Sequence, residues 1–227
     1  RRDDRHVAKA QVLADAVRAM GMGTEVDVLT DNLAESSRAV RALAGCDVLF
    51  GCVDSAEGRH ILNRIATFYC LPCFDVGAKL EASAGGIIDE VCGTVHYLTP
   101  DGSSLMDRGV YDDERLRAEG MRRADPEGYE ELLRDNYIQG ANETSPAVVS
   151  VNTFFAARTV NEFLARVHPS RLEHNRQFSV IRESLSQMER YCKRDDDFPR
   201  RFAGHVGRGD TCPLLDMPQF SGTGGRA

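Results

Sequence analysis

Val7, Ala10, Leu13, Ala14, Val17 and Met20 recur three and four positions apart and then meet Gly21 and Gly23, which predicts an amphipathic helix and its stop. Glu25 to Leu29 predicts a short strand. Ser36 to Ala44 predicts a second helix, closed by Gly45. Asp47 to Val53 is apolar nearly throughout, as a strand covered on both faces should be. A helix over Glu57 to Tyr69 and a short strand over Pro72 to Val76 complete the pattern. Alternation of helix and strand predicts parallel strands joined by crossover helices, an α/β fold with a doubly wound, Rossmann-like, mostly parallel sheet, to which antiparallel strands and a C-terminal extension are added.

Further along, Tyr111 to Asn136 mixes Asp, Glu and Arg densely and breaks at Asp125-Pro126, the pattern of solvated helices. Pro146 to Val167 predicts one long helix whose Val148, Val151, Phe155, Val160, Phe163, Leu164 and Val167 form a core stripe or a dimer stripe. Beyond His168-Pro169, Arg171 to Ile181 predicts a strand and Glu183 to Cys192 a helix ending before Asp195 to Asp197. Phe202 to Phe220 reads as ordered but irregular, and residues 221–227 as a disordered tail. The expected division is 1–168 as one domain and 169–227 as a C-terminal extension.

With 227 residues, 42% of them hydrophobic, the chain has material for one sizeable core with an appendage. A net charge of -7 argues against a dedicated nucleic-acid surface, and the basic pairs Arg1-Arg2, Arg122-Arg123 and Arg200-Arg201 are local. No apolar run approaches the ~20 residues that span a bilayer, and no signal segment opens the chain, so no membrane partner and a cytoplasmic location are expected. Seven cysteines, an odd number spread through predicted strands and helices, point to reduced thiols. Cys70 and Cys73 form a CxxC with Pro72 inside it and no second pair, so these read as buried strand cysteines and no structural zinc is expected.

The stretch GCVDSAEGRHILNRIA, residues 51–66, carries the candidate chemistry. Ligands of open α/β sheets sit beyond the carboxyl ends of strands. Asp54 lies at such an end, where one carboxylate can hold Mg²⁺ shared with substrate phosphates. Ser55 to Gly58 turn the chain into a helix bearing Arg59 and Asn63, four apart and so on one face. The alternative is that Asp54 merely caps that helix.

Residues 51–79 resemble the ThiF/MoeB-like family of adenylating enzymes, to which ubiquitin-activating enzymes and their bacterial relatives belong. The likeness lies in the strand ending at Asp54, Arg59 five residues later, Asn63 four further on, and a strand from Pro72 into a Gly-containing segment ending at Ala78. It extends back to Lys9 at the head of a helix, and forward to residues 137–152 leading into the long helix. The resemblance implies binding of ATP and Mg²⁺ and attack by the C-terminal carboxylate of a ubiquitin-like modifier protein on the α-phosphate. Products are an acyl adenylate and pyrophosphate, with possible passage of the acyl group to a cysteine and then to a conjugating enzyme. Lys9 would contact the phosphates, Asp54 would hold Mg²⁺, and Ser55, Arg59 and Asn63 would line or support the nucleotide site. It further implies a homodimer of bacterial style, with the charged segment 111–136 as a lid or docking surface.

The sequence departs from that pattern in three places. No Gly-rich phosphate loop or ribose-holding acid precedes Lys9, so complete activity is expected to need upstream residues or another chain. Where bacterial relatives often carry half of a zinc site, this chain has Ser104 to Asp107. Between Cys92 and Cys192 there is no cysteine, and Ile138 stands near the expected thioester position, which leaves Cys192 and Cys212 as candidates. Arg190, Lys193 and Arg194 are expected to favour the Cys192 thiolate. Two other functions remain open: a degenerate subunit that scaffolds a ubiquitin-like system, and an NAD-dependent oxidoreductase, which would need a Gly-rich loop.

Overall fold

The computed structural model describes residues 7–82, 87–134 and 148–221. Five strands form one mixed sheet in the order β1-β2-β3-β4-β5. β1 (Leu49–Gly51) runs parallel to β2 (Cys73–Ala82), with α3 (Ala56–Phe68) as the crossover between them. β3 (Ile88–Leu98), β4 (Val180–Ser184) and β5 (Glu189–Lys193) then add antiparallel strands. The α/β plan with added antiparallel strands is therefore as expected, but the sheet is not mostly parallel: among the described residues one strand pair is parallel and three are antiparallel.

Two predicted elements take another form. Residues 25–29 join no ladder, because no described strand lies beside them to take their main-chain hydrogen bonds. Glu183 to Cys192 is not a helix but the turn and second strand of a hairpin: Glu183 lies opposite Arg190, and Ile181 opposite Cys192. Docking of Val180 and Ile181 against β3 fixes that register, and such tertiary pairing overrides local propensity. The strand expected over Arg171 to Ile181 starts only at Val180, after a short 3-10 turn at Asn175–Phe178. All five β5 residues are exposed, and Glu189, Arg190 and Lys193 make it a charged edge, which discourages pairing with other chains.

Each face of the sheet is covered differently. On one face α6 (Val149–Val167) lays Phe163 against Phe74 and Phe50, at ring separations of 5.9 and 5.7 Å. Phe155 reaches the bare backbone of Gly93, where a Cβ would come within 2.6 Å of the ring. On the other face α3 buries Ile61, Ile65 and Phe68 together with Leu49, Cys73, Leu98 and Leu105. Leu214, Leu215, Met217 and Phe220 close this core from the C-terminal segment, and burial of side chains of this size stabilises by about 1.5–3 kcal/mol each. The same segment caps α3: Gly207 and Gly209 donate their N–H groups to the carbonyls of Thr67 and Phe68 in its last turn, at 3.1 and 2.9 Å.

The stripe expected along the long helix divides. Phe155 is buried, while Val160, Leu164 and Val167 are 49%, 44% and 52% exposed. Residues 137–147, including the expected Pro146 start of that helix and Ile138, lie outside the described residues. So do residues 222–227 of the expected tail. In the charged segment the break falls where expected, with α4 (Asp113–Ala124) ending at Asp125 and α5 (Pro126–Arg134) starting on the proline. α1 (Lys9–Ala19) and α2 (Ser37–Ala44) complete the described helices, and among them none is long and apolar enough to cross a membrane.

Candidate active site

The chain leaves β1 at Gly51 and enters α3 at Ala56, and Ser55 is the residue that caps the helix. Its Oγ accepts the N–H of Gly58 at 3.1 Å. Asp54 is thus not the cap. Its side chain is exposed, and among the described residues its carboxylate has no hydrogen bond or ion pair; its main-chain oxygen accepts from Arg115 Nη2 at 3.4 Å.

α4 lies across this strand-to-helix turn through charged contacts. Glu119 Oε2 accepts the N–H of Glu57 at 2.9 Å, and Arg115 pairs with Glu119 at 3.3 Å. Arg123 grips the Glu57 carboxylate with two nitrogens, at distances from 2.9 to 3.2 Å. The segment read as solvated, or as a lid, therefore covers the first turn of α3.

Arg59, in that first turn, points inward toward the sheet. Its Nε lies 3.3 Å from Asp75 Oδ1. Its Nη2 passes over Gly77, where a Cβ would stand only 2.8 Å away, so a side chain at that position would push the guanidinium aside. Asp75, which the sequence pattern placed only in a strand, is 2% exposed and lies between Gly51 on β1 and His96 on β3. Burial pushes its carboxyl up to about 6, with the charges of Arg59 and Arg108 working against that rise. His96 is also buried, its Nδ1 has no hydrogen bond, and burial pushes its pKa down to about 3.

These residues form the deep wall of an open cavity of about 920 Å³ over the face of β2 to β5 opposite α6. Arg59, Asp75, His96 and Arg108 line its base, and Glu90, Arg182, Tyr191 and Lys193 lie toward β4 and β5. Arg108 is fully enclosed and committed: it donates to Ser103 Oγ, Ser179 O, Tyr97 O and Asp195 Oδ1, at 2.8 to 3.1 Å. It ties the loop after β3 to the chain beyond β5. Ser104 and Asp107, where no zinc half-site is expected, bond to each other at 2.7 Å, and Asp107 pairs with Arg201 at 3.1 Å.

The other expected site residues are scattered. Asn63 is buried and its Oδ1 accepts the N–H of Leu105 at 2.8 Å, so it holds a loop instead of facing the cavity. Lys9 is exposed in the first turn of α1 and lines no part of the cavity. Cys192 is exposed on β5, but its thiol is pushed up by burial, against the pull of Arg190 and Arg158. The cations expected to favour its thiolate are engaged: Arg190 with Glu183 at 2.7 Å, Arg194 with Gln177 at 2.6 Å, and Lys193 over the Phe198 ring. Cys212 is exposed in the C-terminal segment. Of the CxxC pair, Cys73 is buried with its thiol pushed up to about 12, whereas Cys70 is exposed ahead of the strand.

A carboxylate free of capping duty, a helix N-terminus beside it and an arginine one turn along suit a phosphate-bearing ligand with Mg²⁺, which takes few protein acids and completes its shell with phosphate and water oxygens. A family model described as the ThiF family matches residues 1–192. No curated protein matches the chain.

Proposed function

Because the chain belongs to the ThiF family, whose members are adenylating enzymes of the ubiquitin-activating type, we propose that it adenylates the C-terminal carboxylate of a ubiquitin-like modifier with ATP and Mg²⁺. The observation that carries this reading is the division of labour at the end of β1, where Ser55 caps α3 and leaves the Asp54 carboxylate open to solvent. In this reading Asp54 holds Mg²⁺, which offsets the charge of the triphosphate. Arg59 adds positive charge one helical turn away, countering the repulsion between the incoming carboxylate and the α-phosphate. Their meeting forms a carboxyl-to-phosphorus bond and releases pyrophosphate. Asn63 supports the site at one remove by holding the 103–108 loop.

The cavity along β2 to β5 supports a protein substrate over a small acid. It is large enough for several residues of extended chain, and it runs from the exposed sheet edge to Arg59. An extended C-terminal tail laid there would arrive at the nucleotide end. Seven unpaired cysteines support a reducing, cytoplasmic setting. The exposed Val160, Leu164 and Val167 support a homodimer seam, and transfer to a conjugating enzyme through Cys212 or Cys192 is the accompanying later step.

One observation favours the scaffold reading: Lys9, the expected phosphate ligand, stands apart from the cavity. Exchange of labelled pyrophosphate into ATP by the full-length protein with a candidate modifier separates the two. An activating enzyme exchanges label and Asp54→Ala abolishes it; a scaffold exchanges none. Full exchange by Asp54→Ala removes the role given to Asp54.

A further inference from the structure

The Asp75 carboxylate is enclosed, yet neither of its oxygens has a hydrogen bond. Burying a carboxylate is costly unless a partner answers it, and the nearest cation is the Arg59 guanidinium, whose Nε also lacks a hydrogen bond. Arg108 is engaged elsewhere, with four of its five N–H donors given to Ser103, Tyr97, Ser179 and Asp195. Room for the pair comes from two glycines. A Cβ on Gly51 would stand 3.1 Å from Asp75 Oδ1, and one on Gly77 would stand 2.8 Å from Arg59 Nη2. Gly51 closes β1 and Gly77 follows Asp75 by two residues on β2, so the pair lies beneath the strand end that leads to Asp54.

We propose that Asp75 is a positioning residue for the adenylation reaction, acting through Arg59: it holds the guanidinium against the sheet so that its free edge faces the incoming phosphates. This rests on the adenylation reading above. Asp75 touches no substrate; it removes the freedom of a long side chain before the nucleotide arrives, and that preorganisation appears as affinity. The charge on Asp75 is what holds the arginine, so protonation releases it.

Other groups facing Asp75 do not change charge in the relevant range. From β3, His96 stays neutral above about 3; from β2 itself, the Cys73 thiol is pushed up to about 12. Past the end of β1, the Cys52 thiol is raised by burial, and from the loop after β3, the Tyr111 hydroxyl is raised while Arg108 remains a cation. A titration near 6 in this cluster therefore belongs to Asp75.

The test measures affinity for ATP·Mg²⁺ against pH in the full-length protein, its Asp75→Asn and Arg59→Ala variants and the double variant. At about pH 8, Asp75→Asn weakens binding about tenfold, and in the Arg59→Ala background it adds nothing, because both changes remove one interaction. Below about pH 6 wild type and Asp75→Asn converge, which a purely structural role for the carboxyl would not produce. Equal or tighter binding by Asp75→Asn at the higher pH, or additive losses in the double variant, overturns the proposal. Gly77→Ala presses on Arg59 from the other side and gives the same loss with Asp75 intact, which covers the case in which Asp75→Asn does not fold. Carboxyl NMR of the protein without nucleotide separates the two levels of the argument. If Arg59→Ala raises the Asp75 midpoint but the wild type binds no ATP·Mg²⁺, the pair stands and the adenylation reading falls, taking the positioning role with it. If the midpoint does not move, the pair itself is refuted.

Discussion

Ser55 and Asp54 are neighbours with separated duties: the serine Oγ takes the Gly58 N–H at 3.1 Å, and the aspartate carboxylate is left to solvent. Loss of an N-cap costs about 1 kcal/mol, whereas an exposed acid without partners costs little to remove. Ser55→Ala should therefore lower stability by about that amount in urea unfolding while ATP–pyrophosphate exchange persists. Asp54→Ala should leave the unfolding midpoint within error and abolish exchange. An equal loss of stability in the two variants would return the capping role to Asp54.

Asn63 links α3 to the loop after β3 through the Leu105 N–H, and both residues are buried. Asn63→Leu leaves that N–H buried and unsatisfied, at a cost of about 1–3 kcal/mol. Hydrogen exchange should quicken at residues 103–108 ahead of the sheet. Unchanged protection there would mean that the loop is held by its own Ser104 and Asp107 contacts.

Two buried histidines set the acid limit. Burial lowers the pKa of His60 to about 4 and of His96 to about 3, from an ordinary value of 6.5. Between those values and 6.5 the unfolded chain binds more protons than the folded one, so stability rises with pH through this window and falls as the pH drops below it. Asp75 acts in the opposite sense: its folded pKa is raised from 3.8 to about 6, so its contribution is fully present below 3.8 and is lost as pH rises through about 6. With two histidines against one carboxyl, the unfolding midpoint in urea should climb from about pH 4 to about pH 6.5, and His96→Gln should flatten that climb. A midpoint independent of pH across this range would contradict the burial of both rings.

Cys192 should behave as a slow thiol. Burial raises its pKa despite Arg190 and Arg158, and fewer thiolates mean slower attack. Alkylation by iodoacetamide at neutral pH, followed by peptide mass spectrometry, should modify Cys192 more slowly than a free cysteine under the same conditions. Faster labelling than free cysteine would restore it as the favoured thioester nucleophile.

Local pattern carried the helices well. Apolar spacing marked α1 and α2, and the dense charge broken at Asp125-Pro126 marked α4 and α5, because a helix writes its pattern into neighbouring residues and its ends are signed by residues such as Gly45 and Pro126; the cap of α3, Ser55, was not told apart from Asp54. The hairpin at 180–193 was not legible in the same way. Its strands are five residues each, one wholly exposed, and their register depends on β3, which lies more than eighty residues earlier. Residues 25–29 have the composition of a strand, but a ladder needs a neighbour that composition does not supply.

By itself, the sequence determined the α/β plan and the turn from β1 into α3, because periodicity and capping chemistry act between residues close along the chain. It also placed Asp54 and Arg59 on that turn. Only the tertiary structure decided what these groups face. It spent Asn63 on Leu105, set Lys9 apart, diverted the cations around Cys192, and brought Asp75 from β2 under Arg59 between two glycines. The reason is physical: burial and pairing depend on distances through space, and a carboxyl on one strand acquires its meaning from the arginine that the fold delivers to it.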